Sequence, residues 1–198
     1  LKCQTEYTNP EDRRFHSQTN SCSDCGIKLQ LVDTDGREFN ETQNNIIKKA
    51  AALIANGSIL AIKNTNGYLL CCDANNKQAI QRLREKKRRP SKPFALLYPS
   101  IEKIKQDFEV SIPEEKALTS AIAPIVILNP KESISDLELE SIAPRLHQLG
   151  IMLPSSSLLI LLMDELKIPI IATSGNIHSS PIISKKEEAV EKLIGVAD

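Results

Sequence analysis

The chain has 198 residues with 25 basic and 25 acidic side chains, so it carries no formal net charge. That excludes a generally cationic nucleic-acid binder, though not a local basic patch. Aromatics at 4% with no Trp argue against a stacking platform for single strands, while 41% hydrophobic and 25% charged residues are ordinary values for a globular domain with one sizeable core.

Residues 1–38 are polar and hold three of the five cysteines, with little apolar periodicity before Ile27-Lys28-Leu29-Gln30-Leu31, which alternates like a strand. Such a segment cannot build a core alone. The expected division is a small cysteine segment at 1–38 and an α/β domain at 39–198.

A helix is predicted from Asn40 or Thr42 with Ile46, Ile47, Ala50, Ala51 and Ile54 on one face, ending at Asn56-Gly57. Ser58–Lys63 and Gly67–Cys72 read as strands of a hairpin turning at Asn66-Gly67. Asn75 is the expected cap of a helix carrying Ala79, Ile80 and Leu83. Pro93–Tyr98, Pro124–Leu128, Gly150–Leu153 and Ile168–Ala172 are short apolar strands, and Leu158–Leu166, apolar nearly all round, reads as a buried helix. The last helix carries Ala189, Val190, Leu193 and Ile194, with Ser184 and Glu187 as a capping box and Gly195 as its stop.

No run of 18 apolar residues occurs, so no membrane helix is expected; Leu149–Met163 comes nearest but contains Pro154 and three serines. The opening LKCQTEYTNP has neither a signal peptide nor an initiating Met and reads as a piece excised from something longer. An odd cysteine count, with Cys71-Cys72 adjacent in an apolar run, points to a reducing, cytoplasmic compartment.

Four features could carry chemistry. Cys3 and Cys22-x-x-Cys25 have a zinc-ribbon-like spacing, because zinc takes four soft ligands in a tetrahedron. The fourth ligand is either a cysteine immediately before Leu1 or His16; the alternative is three unrelated thiols. Between Arg82 and Lys92 lie seven cations (Arg82, Arg84, Lys86, Lys87, Arg88, Arg89, Lys92) and one acid, Glu85. Cations of a last helical turn complement its dipole, which covers Lys86 and Lys87. Cations running through Arg89-Pro90 to Lys92-Pro93 and a strand suit a phosphate site. Thr173-Ser174-Gly175-Asn176 follows a strand, where α/β sheets bind ligands, although a plain turn would look the same. Lys63 ends a strand before a polar turn.

Taken together, EYTNPEDRRFHSQTNSCSDCG resembles the second zinc finger of the HypF hydrogenase-maturation carbamoyltransferase family. AIKNTNGYLLCCDANN, LREKKRRPSKPFALLY, APIVILNP, IAPRLHQLGIMLP and IATSGNIHSSPI resemble, in order, that family's YrdC-like domain. The resemblance covers essentially the whole chain. It implies a twisted mixed sheet flanked by helices, preceded by a zinc-finger-like segment. The chain would be an internal piece, with an acylphosphatase domain and a first finger before it and a transfer domain after it.

The implied chemistry is ATP-dependent formation of carbamoyl-adenylate from carbamate, with pyrophosphate released. The carbamoyl group then passes to a HypE-type maturation protein and on to a cyanide ligand of a nickel-iron centre. By motif, K-x-R and S-x-N fall on Lys87, Arg89, Ser174 and Asn176, with Lys63, Lys92 and Thr173 as further binding residues. Lys87, Arg89 and Lys63 are the implied stabilisers of phosphoryl charge. Zinc would lie on Cys3, Cys22 and Cys25, and magnesium is compatible as a charge neutraliser.

The sequence departs from the family where Asn64-Thr65-Asn66-Gly67-Tyr68-Leu69 replaces a glycine-rich turn with a following His. Ser155-Ser156-Ser157-Leu158 stands in place of a Tyr- and His-bearing run, Ala123 replaces an Arg, and His178 a small Ser. Three other readings compete: a weak, salt-sensitive double-stranded RNA binder using the basic cluster, a degenerate bridging domain, and a threonylcarbamoyl-adenylate synthase. IKNTNGY and the finger cysteines argue against the last.

Overall fold

The computed structural model describes residues 2–22, 24–134, 136–177 and 180–198. The family departure at His178 lies outside the described residues. Contacts divide the chain into two compact units, Leu1–Gln30 and Leu31–Asp198.

The first unit is one short helix, α1 (Lys2–Thr8), followed by turns. The Glu6 carboxylate accepts from Arg14 at 2.8 Å and from Asn20 at 3.2 Å, and Asn20 Nδ2 also donates to the Cys3 carbonyl at 3.3 Å. These bonds fold the turns back on the helix. Cys3 is the one buried apolar side chain among the described residues of this unit. Apolar packing therefore cannot be what holds it. The alternation at Ile27–Leu31 does not make a strand. Ile27 is nearly fully exposed, and β pairing is confined to an isolated Val32–Glu38 bridge. Leu29 and Leu31 are only half-buried, so no face of the alternating pattern is covered firmly enough to hold a strand.

The second unit is a seven-stranded sheet, β1 (Leu60–Asn64), β2 (Gly67–Asp73), β3 (Ala95–Leu97), β4 (Phe108–Glu109), β5 (Val126–Pro130), β6 (Leu149–Met152) and β7 (Ile170–Ser174). Its order is β1-β2-β7-β3-β6-β5-β4, antiparallel throughout except for β3 beside β6. It is thus the mixed sheet flanked by helices that the family resemblance implies.

Strand alternation divides the apolar residues between two cores. Leu70, Cys72, Leu96, Ile151, Ile171 and Leu128 face one layer. That layer includes α3 (Lys77–Lys86), α4 (Ile101–Asp107), α5 (Ile112–Leu118) and α6 (Leu139–Ile142). Leu60, Cys71, Leu97, Ile170 and Ala172 face α2 (Gln43–Ala55) and α7 (Ser157–Leu166). This second cover stops short of β5, whose Ile125 flank and Ile127 stay 54% and 55% exposed.

Several boundaries differ from the sequence expectation. Asn76, not Asn75, caps α3, its Oδ1 accepting from Ala79 N at 3.0 Å, while Asn75 N is tied to Asp73. α7 is not buried all round: Leu159, Leu162 and Met163 pack inward, but Ile160 and Leu161 are 54% exposed. α8 (Lys186–Leu193) has Lys185 at its cap with no side-chain cap bond, so the Ser184–Glu187 capping box does not form. The Ser184 carbonyl accepts instead from Lys63 Nζ. Among the described residues no helix is long and apolar enough to cross a membrane.

Candidate functional site

The site grows from one end of the sheet. β7 runs antiparallel to β3, with Ala172 opposite Ala95, so the end of β7 meets the chain entering β3; β6, parallel to β3, enters there too. α3 delivers its C-terminus to the same place. Lys87 is its C-cap, and Arg88 follows in the left-handed region (φ 50°), where glycine would be the relaxed choice. Arg88 N donates to Glu85 O at 3.0 Å and Arg89 N to Arg84 O at 2.9 Å, which ends the helix and turns Arg89 back across β3.

Lys87 and the Ser174–Asn176 turn, nearly ninety positions apart in the chain, make direct contact. Lys87 Nζ donates to Ser174 O at 2.6 Å, Asn176 O at 2.8 Å and Asn176 Oδ1 at 3.2 Å, which occupies all three of its donors. The residue is only 4% exposed. Burial, and secondarily the charge of Arg89, pull its ammonium down to about 8. Ser174 Oγ donates to Asn176 Oδ1 at 2.7 Å, and Asn176 Nδ2 to Ser180 O at 2.8 Å. Gly175 allows the turn to lie on β2: its N–H donates to Tyr68 O at 2.6 Å, and a Cβ there would fall 2.6 Å from Tyr68 Cβ.

Arg89 reaches the same turn, NH1 lying 3.5 Å from the buried Thr173 Oγ1, while its other donors meet Lys92 O at 3.2 Å and Pro93 O at 2.5 Å. Lys87, Arg89, Thr173, Ser174 and Asn176 therefore form one connected cluster. Lys63 and Lys92 share no side-chain bond with it. Lys63 Nζ bonds the Ser184 carbonyl and lies 5.5 Å over the Tyr68 ring, and the exposed Lys92 contributes its carbonyl.

The basic run is mostly committed internally. Arg82 and Lys86 pair with Asp198 at 2.5 and 3.5 Å, and Arg84, Lys87 and Arg89 bind carbonyls. Among the described residues Arg88 and Lys92 alone of the seven keep side chains without a polar partner, a thin footprint for a duplex binder.

The sequence reading missed two things. One is Arg84, which it counted only as one cation of seven. The other is a floor of small residues beside Ser174. Ala172, Ala95 and Gly150 lie in register across three strands on one face, with Ile127 opposite Gly150 as the rim. A Cβ on Gly150 would come within 3.8 Å of Ala95 Cβ and 2.8 Å of Ile125 Cγ2. The signal was present as small residues at alternate positions, but only the pairing register assembles them.

In the first unit the three cysteines converge, all Sγ atoms lying within 4.8 Å of one another, with Cys25 to Cys3 at 3.3 Å and Cys22 to Cys25 at 3.6 Å. Ligands 2.3 Å from a tetrahedral zinc are about 3.8 Å apart, so this set fits three of its four corners. Backbone N–H groups of Cys25, then Asp24, lower the Cys22 thiol to about 7, while the side chains of Cys25, then Cys22, push the Cys3 thiol up to about 12. Gly26 N donates to Cys22 O at 2.7 Å and closes the knuckle. His16 is outside the cluster. Its ring stacks on Phe15 at 4.0 Å and tilts on Tyr7 at 5.2 Å.

Comparison with known proteins agrees with both units. The Sua5/YciO/YrdC family model, described as telomere recombination, matches residues 52–198, and the HypF finger model matches residues 2–32. Carbamoyltransferase HypF of Rhodobacter capsulatus is 40% identical over 196 residues, 99% of this chain and 25% of its own length. The crystal structure of full-length HypF in its phosphate- and nucleotide-bound form superposes with a TM-score of 0.84 at 38% identity, covering 100% of this chain and 25% of that one. For Thermococcus kodakarensis HypF (T.kodakarensis) the values are 0.86 and 37%, with the same coverage. The chain spans about a quarter of the length of these relatives.

Proposed function

The chain belongs to the Sua5/YciO/YrdC family as it occurs in HypF carbamoyltransferases, with the HypF finger ahead of the sheet domain, and from that premise we propose that its sheet end binds ATP and makes carbamoyl-adenylate. The observation that carries this reading is the cluster joining Lys87 and Arg89 to Thr173, Ser174 and Asn176. A relative crystallised with phosphate and nucleotide supports it.

A carbamate oxygen attacks the α-phosphorus of ATP. The new P–O bond forms as the bond from that phosphorus to the bridging oxygen breaks, and pyrophosphate leaves with the electron pair. Negative charge builds on the phosphoryl oxygens, where fixed cations are most effective. Arg89 is the side chain that meets that charge, exchanging its carbonyl and Thr173 bonds for phosphate oxygens, with Lys63 and Lys92 at the rim. Ser174 and Asn176 orient the reacting oxygens. Lys87, all of whose donors are used, acts through the turn it holds. Beside the buried Ala172, the half-buried Ala95 and Gly150 carry the smallest side chains of the row, and the space above them seats the nucleoside. Magnesium bound to the triphosphate would neutralise charge there. In the finger, Cys3, Cys22 and Cys25 would hold a structural zinc. In the full-length protein the carbamoyl group passes onward to a HypE-type partner.

The test is isotope exchange. Labelled pyrophosphate should enter ATP only when ammonium bicarbonate, which contains carbamate at equilibrium, is present. Exchange independent of bicarbonate, or none at all, would overturn the proposal.

The Lys87 clamp adds a pH signature. Its folded value of about 8 lies below the ordinary 10.5, so between those values the unfolded chain binds more protons. Lys87's contribution to stability therefore rises with pH across that window. Nucleotide affinity should run the other way, falling above pH 8 as the ammonium loses a donor and its charge. Melting and titration series at pH 7 to 10 read both trends.

A further inference from the structure

We infer that Arg84 is a positioning residue that sets the phosphate-binding loop; this rests on the nucleotide reading above. Arg84 lies on α3, one turn before Lys87, and its guanidinium is spent on main-chain oxygens of two separate segments. Nε donates to Ser141 O at 2.7 Å and NH2 to Ile142 O at 2.8 Å. NH1 donates to Arg89 O at 2.8 Å and Lys92 O at 3.1 Å. Its plane lies 4.4 Å over the ring of Phe94, and Arg89 stacks on the same ring at 5.0 Å.

Each contact fixes something the site needs. The bonds to Arg89 O and Lys92 O hold both ends of the loop from Arg89 to Lys92, so the Arg89 guanidinium projects toward Thr173 from a rigid base. The bonds to Ser141 O and Ile142 O tie that loop to the C-terminal end of α6, and Phe94 N donates to Ile142 O at 3.0 Å. Both guanidinium groups lie against the Phe94 ring and share Lys92 O as an acceptor, and the nearby charge of Arg89 lowers the proton affinity of Arg84 behind the larger effect of burial. A lysine has one point donor group in place of a planar fork and cannot span these four carbonyls. Arg84 makes no bond to the Ser174–Asn176 turn among the described residues, so its influence on a bound phosphate runs through Arg89.

The experiment compares the 198-residue chain with Arg84→Lys, Arg89→Ala and the double variant, with Arg84→Gln in reserve should Arg84→Lys fail to fold. Melting temperature is recorded for each. Arginine Nε–H spectra are taken without nucleotide, and a non-hydrolysable ATP analogue is titrated calorimetrically. In Arg84→Lys the Arg89 Nε–H signal should shift or broaden as its bond to Lys92 O loosens, and analogue affinity should fall at least about tenfold, the scale of one charge-assisted hydrogen bond. The double variant should bind no more weakly than Arg89→Ala alone, because Arg84 acts through Arg89. An unchanged Arg89 signal in folded Arg84→Lys, or losses that add in full, overturns the inference. A wild-type chain that binds no analogue overturns the nucleotide reading instead, and the Arg89 spectrum then still decides whether Arg84 sets the loop.

Discussion

Lys87→Met should abolish measurable binding of an ATP analogue and lower the melting temperature by about 6–12 °C, the equivalent of about 3 kcal/mol in a domain of this size. The methionine fills most of the lysine's volume but leaves Ser174 O, Asn176 O and Asn176 Oδ1 without their common donor. Ser174 O keeps Asn176 N and Asn176 Oδ1 keeps Ser174 Oγ, but the half-buried Asn176 O loses its donor, and an acceptor left unpaired costs more than its hydrogen bond contributed. The turn then loses its hold on α3, and Ser174 and Asn176 drift from Arg89. Differential scanning calorimetry and isothermal titration read the two effects. A Lys87→Met chain that melts like the wild type would mean that the three contacts are incidental.

Cys25→Ser should empty and unfold the first unit while leaving the second as it is. Residues 2–30 bury one apolar side chain, Cys3, so nothing but metal ligation and a few polar bonds can offset the entropy of ordering them. A serine oxygen is a poor partner for zinc beside two thiolates. Metal analysis should find about one zinc per chain in freshly isolated wild type and none in the variant. Amide spectra should collapse toward random-coil positions for residues 2–30 alone. Retained dispersion in that unit without metal would show that the Glu6–Arg14–Asn20 bonds suffice.

How much could be read beforehand depended on the range of the signal. Local signals read well. Thr42 caps α2 through Asn45 N, the hairpin turns between Asn64 and Gly67, and the strand SILAIK begins two residues late at Leu60. Signals that needed a partner did not. Ile27–Leu31 alternates yet forms no strand, and Ser184 and Glu187 have capping spacing, but the Ser184 carbonyl serves Lys63. The basic run and the Thr173–Asn176 turn stand out in the residues themselves, and family likeness singles out Lys87, Arg89, Ser174 and Asn176 within them. What no local pattern carried was the commitment of each cation: that Lys87 is buried with every donor spent, that Arg84 braces the loop, and that Asp198 takes Arg82 and Lys86. Charge counting sees seven equal side chains, whereas the fold sorts them into braces, a clamp and a contact residue.

The central claim is that one nucleotide touches both the loop of Arg89 and the turn of Ser174 and Asn176. A crystal structure of this chain with a non-hydrolysable ATP analogue tests it most directly. The account predicts a phosphate oxygen within 3.2 Å of an Arg89 nitrogen, a second polar contact to Ser174 Oγ or Asn176 Nδ2, and the nucleoside over Gly150. An analogue bound anywhere else on the sheet, touching neither motif, would contradict it.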